Sequence, residues 1–165
     1  MKNFLYCSSL LEEKVAKAYE HIAKLINDKI VSCLLRYIAH DSFKHAECFR
    51  LMAELLSHGG DVHFEDCIRV WGESWLTTIK DAEKIMEKSE ISPVEIRSII
   101  NGLEKIERFA AEEYLTALYA KIIELVADKE GVNLGPLKTI LNWIIEEENK
   151  HRQILEIIRG LLPNP

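Results

Sequence analysis

Proline and glycine are scarce in this sequence, with four prolines and seven glycines among 165 residues. Nearly all of them fall between segments of helical periodicity, and no segment shows the apolar–polar alternation of a strand. The chain also lacks an apolar run of the roughly 18 residues that a membrane-spanning helix requires. Its first residues show no signal-peptide core. We therefore expect an all-α, cytoplasmic protein without a membrane partner.

Basic residues are outnumbered by acidic ones, 21 to 27, and the formal net charge is −6. Because the acidic residues are spread along the chain, the sequence offers no basic footprint for nucleic acid. The four cysteines, at positions 7, 33, 48 and 67, include no Cys-x-x-Cys pair. This excludes a zinc knuckle or a rubredoxin-type iron site. We expect buried thiols, with a disulfide only if the source is hyperthermophilic.

The hydrophobic pattern predicts a single domain, residues 1–165, built around four long helices. Ser8 or Ser9 is expected to cap helix 1, and helix 3 is expected to kink near residues 101–102. Residues 58–92 keep a helical period and are predicted to form a long, partly helical crossover between helices 2 and 3. The predicted helix bounds are about 8–26, 29–57, 93–129 and 137–162.

The most informative stretch lies in helix 4, where two ionisable residues interrupt the apolar seam. Glu148 and His151 stand at i and i+3 between Ile144 and Leu155, on the face that points toward a core. Neighbouring Glu147 is expected to face solvent. Burying a carboxylate and an imidazole is costly unless a partner compensates them. A metal ion is one such partner, and a Glu–His hydrogen-bonded pair, which a lone Glu-x-x-His motif favours, is the other.

Helix 2 repeats this interruption. Ser42 and His45 stand in its apolar seam, each 106 positions before Glu148 and His151. A gap of the same width at the same offset is unexpected for two unrelated helices.

Helices 1 and 3 carry a second correspondence. Glu12 precedes Tyr19 by seven residues, and Glu112 precedes Tyr119 by seven. Seven residues are two helical turns, so each pair shares one helix face. Taken alone, the tyrosines could be core aromatics and the glutamates surface acids. Combined with helices 2 and 4, the pairs indicate a duplicated two-helix unit, which is much harder to obtain by chance than any one motif.

The arrangement resembles the ferritin-like superfamily of carboxylate-bridged di-iron proteins, in particular the rubrerythrin-type bundles. The resemblance covers the four helices but not residues 58–92. It implies a ferritin-like four-helix bundle in which two helices each give one Glu and two each give Glu-x-x-His. Tyr19 and Tyr119 would donate hydrogen bonds to ligand carboxylates. The implied metal ligands are Glu12, His45, Glu112, Glu148 and His151, with Glu113 as an alternative to Glu112.

Helix 2 departs from the family pattern because Ser42 stands where a bridging Glu is expected. Asp41, one position away, is the carboxylate that could substitute by pairing with His45. We therefore expect the half-site around Glu148 to hold metal more tightly than the half-site around Glu12. The implied cofactor is iron, one or two ions, and manganese or zinc also suits these ligand types.

Two functions follow from the resemblance. The first is a metal-binding oxidoreductase of rubrerythrin or ferroxidase type that acts on dioxygen or peroxide, with a separate electron donor because no rubredoxin domain is present. The second is a non-enzymatic bundle whose metal site has decayed and which acts through protein contacts. Bundles of this size commonly self-associate, so we expect a homo-oligomer, most simply a dimer. Trp71 and Trp75 either cap the bundle or form part of a dimer face.

Overall fold

The computed structural model describes residues 2–55, 62–109 and 135–162. Within these ranges the chain is helical and contains no strand, so the all-α prediction is confirmed. None of the described helices is both long enough and apolar enough to cross a membrane. The helices are α1 (Lys2–Leu25), α2 (Lys29–Leu55), α3 (Phe64–Met86), α4 (Pro93–Phe109) and α5 (Gly135–Leu161).

The helices pack around a core that polar residues divide in two. α1 packs along α2 and against α3, and α5 packs against α4 and α2. On α2 the buried apolar residues stop at Ala39 and resume at Ala46, and on α5 they stop at Ile144 and resume at Leu155. The two apolar clusters therefore lie on either side of a polar layer that α2 and α5 share.

Helix α1 begins at Lys2, so the expected cap at Ser8 or Ser9 is wrong. Both serines lie inside the helix and are buried, and Ser8 Oγ donates to the Phe4 carbonyl oxygen at 2.5 Å. Upstream Leu5 is fully buried, so packing extends the helix past the residues that prefer a cap position.

Helix α4 continues through residues 101–102, and the kink expected there does not occur. The predicted extension of this helix beyond residue 109 lies outside the described residues. A break occurs instead in α3, at Gly72, where φ is 74° and ψ is −167°. Glycine adopts this backbone conformation readily because it has no Cβ atom.

Helix α3 fills much of the segment predicted to be a partly helical crossover, and it is fastened to α1. A disulfide joins Cys7 to Cys67, so these two cysteines are buried but are not thiols. Trp75 is fully buried, and its Nε1 donates to the Cys7 carbonyl oxygen at 3.1 Å. Trp71 packs edge-to-face against Phe4, with ring centroids 4.9 Å apart. Trp75 therefore belongs to the core, and its interpretation as part of a dimer face is wrong.

Candidate metal centre

Two groups of three buried side chains meet in the polar layer. The first contains Glu12, His45 and Glu148, and the second contains Glu107, Glu148 and His151. Within each group, one potential ligand atom per residue lies within 4.8 Å of the others. All five side chains belong to residues that are at most 3% exposed. Glu148 is common to both groups, so one carboxylate joins two neighbouring positions for a cation.

Both imidazoles turn the same nitrogen toward the shared carboxylate. His45 Nδ1 lies 3.0 Å from Glu148 Oε1 and 3.8 Å from Glu12 Oε2. His151 Nδ1 lies 3.5 Å from the same Glu148 oxygen and 3.3 Å from Glu107 Oε2. The two rings are stacked with centroids 5.8 Å apart. The groups are therefore two similar half-sites on either side of Glu148, and each offers two carboxylates and one imidazole.

The outward nitrogen of each imidazole faces a carboxylate from the other helix. Glu147 Oε2 lies 2.7 Å from His45 Nε2, and Asp41 Oδ2 lies 3.4 Å from His151 Nε2. Glu147 and Asp41 are themselves 106 positions apart, so equivalent residues of α2 and α5 make reciprocal contacts. When the imidazole is neutral, a carboxylate at Nε2 holds the proton there and leaves the Nδ1 lone pair for a metal.

Asp41 and Glu147 thus differ in placement from the sequence-based expectations. Asp41, expected beside His45 as a substitute ligand, lies beside His151 on the side away from the shared carboxylate. Glu147, expected to face solvent, contacts the buried His45. Neighbouring helices supply these contacts, and periodicity within one helix cannot reveal them.

Lys44 connects the two outer carboxylates. Its Nζ lies 2.8 Å from Asp41 Oδ1 and 2.8 Å from Glu147 Oε1, while its side chain is 48% exposed. One ammonium group at the surface therefore positions both acids that orient the buried imidazoles. Sequence reasoning missed this lysine, because it resembles any solvated charge on a helix.

The buried groups shift one another's protonation strongly. Burial and the neighbouring Glu148 charge raise the pKa of Glu107 to about 8, and the same two causes raise the pKa of Glu12. Burial also acts to raise the pKa of Glu148, but the close imidazoles of His151 and His45 hold it well below its usual range. Burial acts to lower the pKa of His151, yet hydrogen bonds with Glu107 and Glu148 raise it to about 11. Glu148 is therefore the principal anion between two protonated imidazoles.

Tyr19 donates its hydroxyl hydrogen bond to Glu107 Oε1 at 2.5 Å. The tyrosine is fully buried, and burial raises the pKa of the phenol, so the group remains a donor. The tyrosine thus bonds a carboxylate of the second group, on α4. The residues that the resemblance assigned to helix 3, Glu112, Glu113 and Tyr119, lie outside the described residues.

Sequence reasoning missed Glu107, although two signals mark it. It follows the fully buried Leu103 by one helical turn on the apolar face of α4. It also precedes Tyr114 by seven residues, the separation found between Glu12 and Tyr19.

The donor set fits a metal ion. Among the described residues, His45 Nδ1 and Glu148 Oε1 are buried atoms without a hydrogen-bond partner, although they lie 3.0 Å apart. Each buried polar atom left without a partner costs about 1–3 kcal/mol. A cation bound to both would remove that cost. Carboxylate oxygens with imidazole nitrogens suit iron, manganese and zinc.

No family model, curated protein sequence or solved structure matches the chain. Its assignment therefore depends on its own residues, which define an all-helical protein with a buried carboxylate–histidine cluster that could hold a metal ion.

Proposed function

We propose that this protein is a ferritin-like metal-binding protein that holds iron and serves as an oxidoreductase of rubrerythrin or ferroxidase type. The observation that carries the proposal is the shared position of Glu148, whose Oε1 lies 3.0 Å from His45 Nδ1 and 3.5 Å from His151 Nδ1. A carboxylate between two equivalent half-sites is the arrangement that a bridged pair of cations requires. Manganese and zinc suit the same ligands, and iron is preferred because of the family resemblance.

The proposed bundle consists of α1, α2, α4 and α5, with α3 in the crossover. Along the chain these four helices contribute Glu12, His45, Glu107 and the Glu148–His151 pair. This is the order in which the ferritin-like pattern supplies its ligands, apart from the missing carboxylate at Ser42. Two described packing pairs, α1 with α2 and α4 with α5, agree with a duplicated two-helix unit.

The residues of the chain have separate tasks in this proposal. Glu12 and His45 would hold one ion, Glu107 and His151 the other, and Glu148 both. Bound iron would supply one-electron chemistry toward dioxygen or peroxide, and a separate donor would return the electrons. Tyr19 orients Glu107 through its hydroxyl, and the apolar clusters above and below the layer exclude water.

Metal analysis tests the proposal directly. Protein produced with iron should carry about one or two equivalents by elemental analysis, and Glu148→Gln should remove them. Glu146→Gln, the same change on the exposed face of α5, should leave the metal content unchanged. A wild type that binds no metal under several metal supplies would contradict the proposal.

Ser42 favours a second candidate, a non-enzymatic bundle that acts through protein contacts. A buried serine at the bridging position removes one of the carboxylates on which a di-iron centre depends. Rapid mixing of ferrous protein with dioxygen or peroxide separates the candidates. Oxidation faster than that of free ferrous ion supports the enzyme. Bound iron without acceleration supports the second candidate.

A further inference from the structure

Six side chains of α2 and α5 form a closed ring of polar contacts. The inner part joins the two imidazoles through their Nδ1 atoms, which lie 3.0 Å and 3.5 Å from one oxygen of the shared carboxylate. The outer part joins the same imidazoles through their Nε2 atoms, by contacts of 2.7 Å, 2.8 Å, 2.8 Å and 3.4 Å. In order, the members of the ring are His45, Glu147, Lys44, Asp41, His151 and Glu148. Each imidazole is therefore held at both of its nitrogen atoms.

Each outer carboxylate uses its two oxygens for different partners. Glu147 accepts a hydrogen bond from the Lys44 ammonium with Oε1 and faces His45 Nε2 with Oε2. Asp41 accepts from the same ammonium with Oδ1 and faces His151 Nε2 with Oδ2. Because a carboxylate is rigid and planar, an acid that turns about one oxygen also moves the other. The two half-sites are thus connected outside the polar layer as well as within it.

The sequence repeat offers a second lysine that the ring does not use. Lys150 lies 106 positions after Lys44, at the equivalent place on α5. It is exposed, and it forms no ion pair with a described residue, whereas Lys44 Nζ lies 2.8 Å from each outer acid. One lysine therefore serves both half-sites, and its counterpart supplies a matched control for charge.

We propose that Lys44 is a positioning residue that couples the two half-sites, because it holds both outer acids and through them fixes both imidazoles. The inference rests on the proposed metal binding and extends it, since one surface side chain then sets the metal affinity at both positions. Two consequences distinguish this role from an ordinary surface ion pair. Loss of Lys44 weakens metal binding at both half-sites, and a change in one outer acid is felt at the imidazole of the opposite half-site.

Two opposing effects follow when Lys44→Met removes the ammonium group. The loss of a positive charge favours a cation, but the Lys44 side chain is 48% exposed, so water and salt screen its field. The loss also leaves two like charges close together without the cation between them, and each acid turns toward solvent and away from its imidazole. Loss of such an orienting contact to a ligand histidine typically lowers metal affinity about 10- to 100-fold. The net expectation is weaker metal binding.

Calorimetric titration with Zn²⁺ in two backgrounds tests each half-site separately. Glu107→Gln leaves the first group complete, and Glu12→Gln leaves the second. In both backgrounds Lys44→Met should lower the Zn²⁺ affinity about tenfold relative to Lys150→Met, which removes the same charge from α5. Lys44→Arg should restore most of the affinity, because a guanidinium group can also bond two carboxylates.

Nuclear magnetic resonance of ¹⁵N-histidine-labelled, metal-free protein tests the coupling without a metal. Asp41→Asn removes one of the two acids that share the ammonium, so Lys44 pairs with Glu147 alone and draws it away from His45. The His45 Nε2–H proton signal should move to lower frequency, because its hydrogen bond weakens. In the Lys44→Met background the same Asp41→Asn change should leave this signal unmoved.

The outcomes separate this inference from the proposed function. Equal Zn²⁺ affinities of Lys44→Met and Lys150→Met, or a loss in only one background, overturn the coupling and leave metal binding intact. A His45 signal that ignores Asp41→Asn, or that moves equally with and without Lys44, also overturns it. If the wild type binds no Zn²⁺, the proposed function fails, and the resonance comparison still decides the role of Lys44. Unchanged circular dichroism of both methionine variants would show that they are folded.

Discussion

Replacement of Glu148 by glutamine probes the shared carboxylate, because glutamine keeps the shape of the side chain and removes its charge. Glu148 is the residue common to both groups, so Glu148→Gln should lose tight metal binding at both half-sites. Glu12→Gln and Glu107→Gln each leave one complete group and should each retain one equivalent. The difference between these variants separates a shared ligand from two independent sites.

The same substitution should destabilise the metal-free protein. Glu148 Oε1 lies 3.0 Å and 3.5 Å from the Nδ1 atoms of His45 and His151. At an effective dielectric constant of 20 each attraction is about 5 kcal/mol before desolvation is subtracted. Breaking a buried ion pair by removing one partner typically costs about 3–5 kcal/mol. We therefore expect Glu148→Gln to lower the free energy of unfolding by roughly 3–5 kcal/mol at pH 7.

Urea unfolding with a chelator, followed by circular dichroism, measures this loss, and elemental analysis of loaded protein measures the metal. Glu146→Gln is the control, and its free energy of unfolding should stay within about 0.5 kcal/mol of the wild type. If Glu148→Gln unfolded with wild-type free energy, or kept its metal at wild-type affinity, the shared position of Glu148 would be refuted.

Three further predictions follow from the described contacts. Replacing Cys7 and Cys67 together by serine removes a cross-link that spans 60 residues and should lower the free energy of unfolding by roughly 4 kcal/mol in urea. Tyr19→Phe removes the hydrogen bond to Glu107 and should weaken Zn²⁺ binding about 10- to 100-fold by calorimetry. The raised pKa values of His151, about 11, and Glu107, about 8, mean that both groups carry protons at neutral pH. Metal must displace these protons, so Zn²⁺ affinity should rise with pH and calorimetry should register proton release at pH 7.

Matched variants and buffers control these measurements. Cys33→Ser with Cys48→Ser removes the two free cysteines and should leave the free energy of unfolding nearly unchanged. Tyr37→Phe removes an exposed hydroxyl and should not alter metal affinity. Equal Zn²⁺ affinities at pH 6 and pH 8 would contradict the protonation of the ligands.

The constant offset of 106 between α2 and α5 was the main sequence evidence for the site. The structure brings together Glu12, His45, Glu148 and His151, which helical spacing had placed on inward faces. Among the described residues, each half-site contains two carboxylates and one imidazole, so their composition does not favour tighter metal binding at either one. The expectation of one tighter half-site arose from the carboxylate missing at Ser42, and in the structure one oxygen of Glu148 contacts both histidines.

The missed ligand shows what periodicity cannot decide. Glu107 and Glu112 each stand seven residues before a tyrosine, and they lie five residues apart on one predicted helix. The choice between them depends on how far that helix is shifted along its neighbours. This shift is set by packing between helices, which a pattern within one helix does not contain.

The disulfide also could not be predicted from a local sequence pattern. Cys7 and Cys67 are 60 residues apart, and their pairing depends on how α3 lies against α1. The break at Gly72 falls between Cys67 and Trp75, both of which contact Cys7. A disulfide is rare in the cytoplasm outside hyperthermophiles, so the expected localisation and this bond agree only for such a source.

The charged residues Asp41, Glu147 and Lys44 orient the two imidazoles from outside the polar layer. Asp41 and Glu147 hold the Nε2 atoms of the two imidazoles, and Lys44 holds both acids, so the Nδ1 atoms keep their direction independently of a cation. Protons on the imidazoles compensate the buried carboxylate when metal is absent, which raises the pKa values of both histidines. Because the donor atoms are already oriented, metal binding loses less conformational entropy. The ligand protons oppose metal binding, because the metal must displace them. These two opposing effects set the metal affinity. The metal affinity in turn separates the proposed enzyme from the proposed bundle that acts through protein contacts. The number of protons released on metal binding therefore does more than identify the ligands. It also shows how strongly the displacement of ligand protons opposes metal binding.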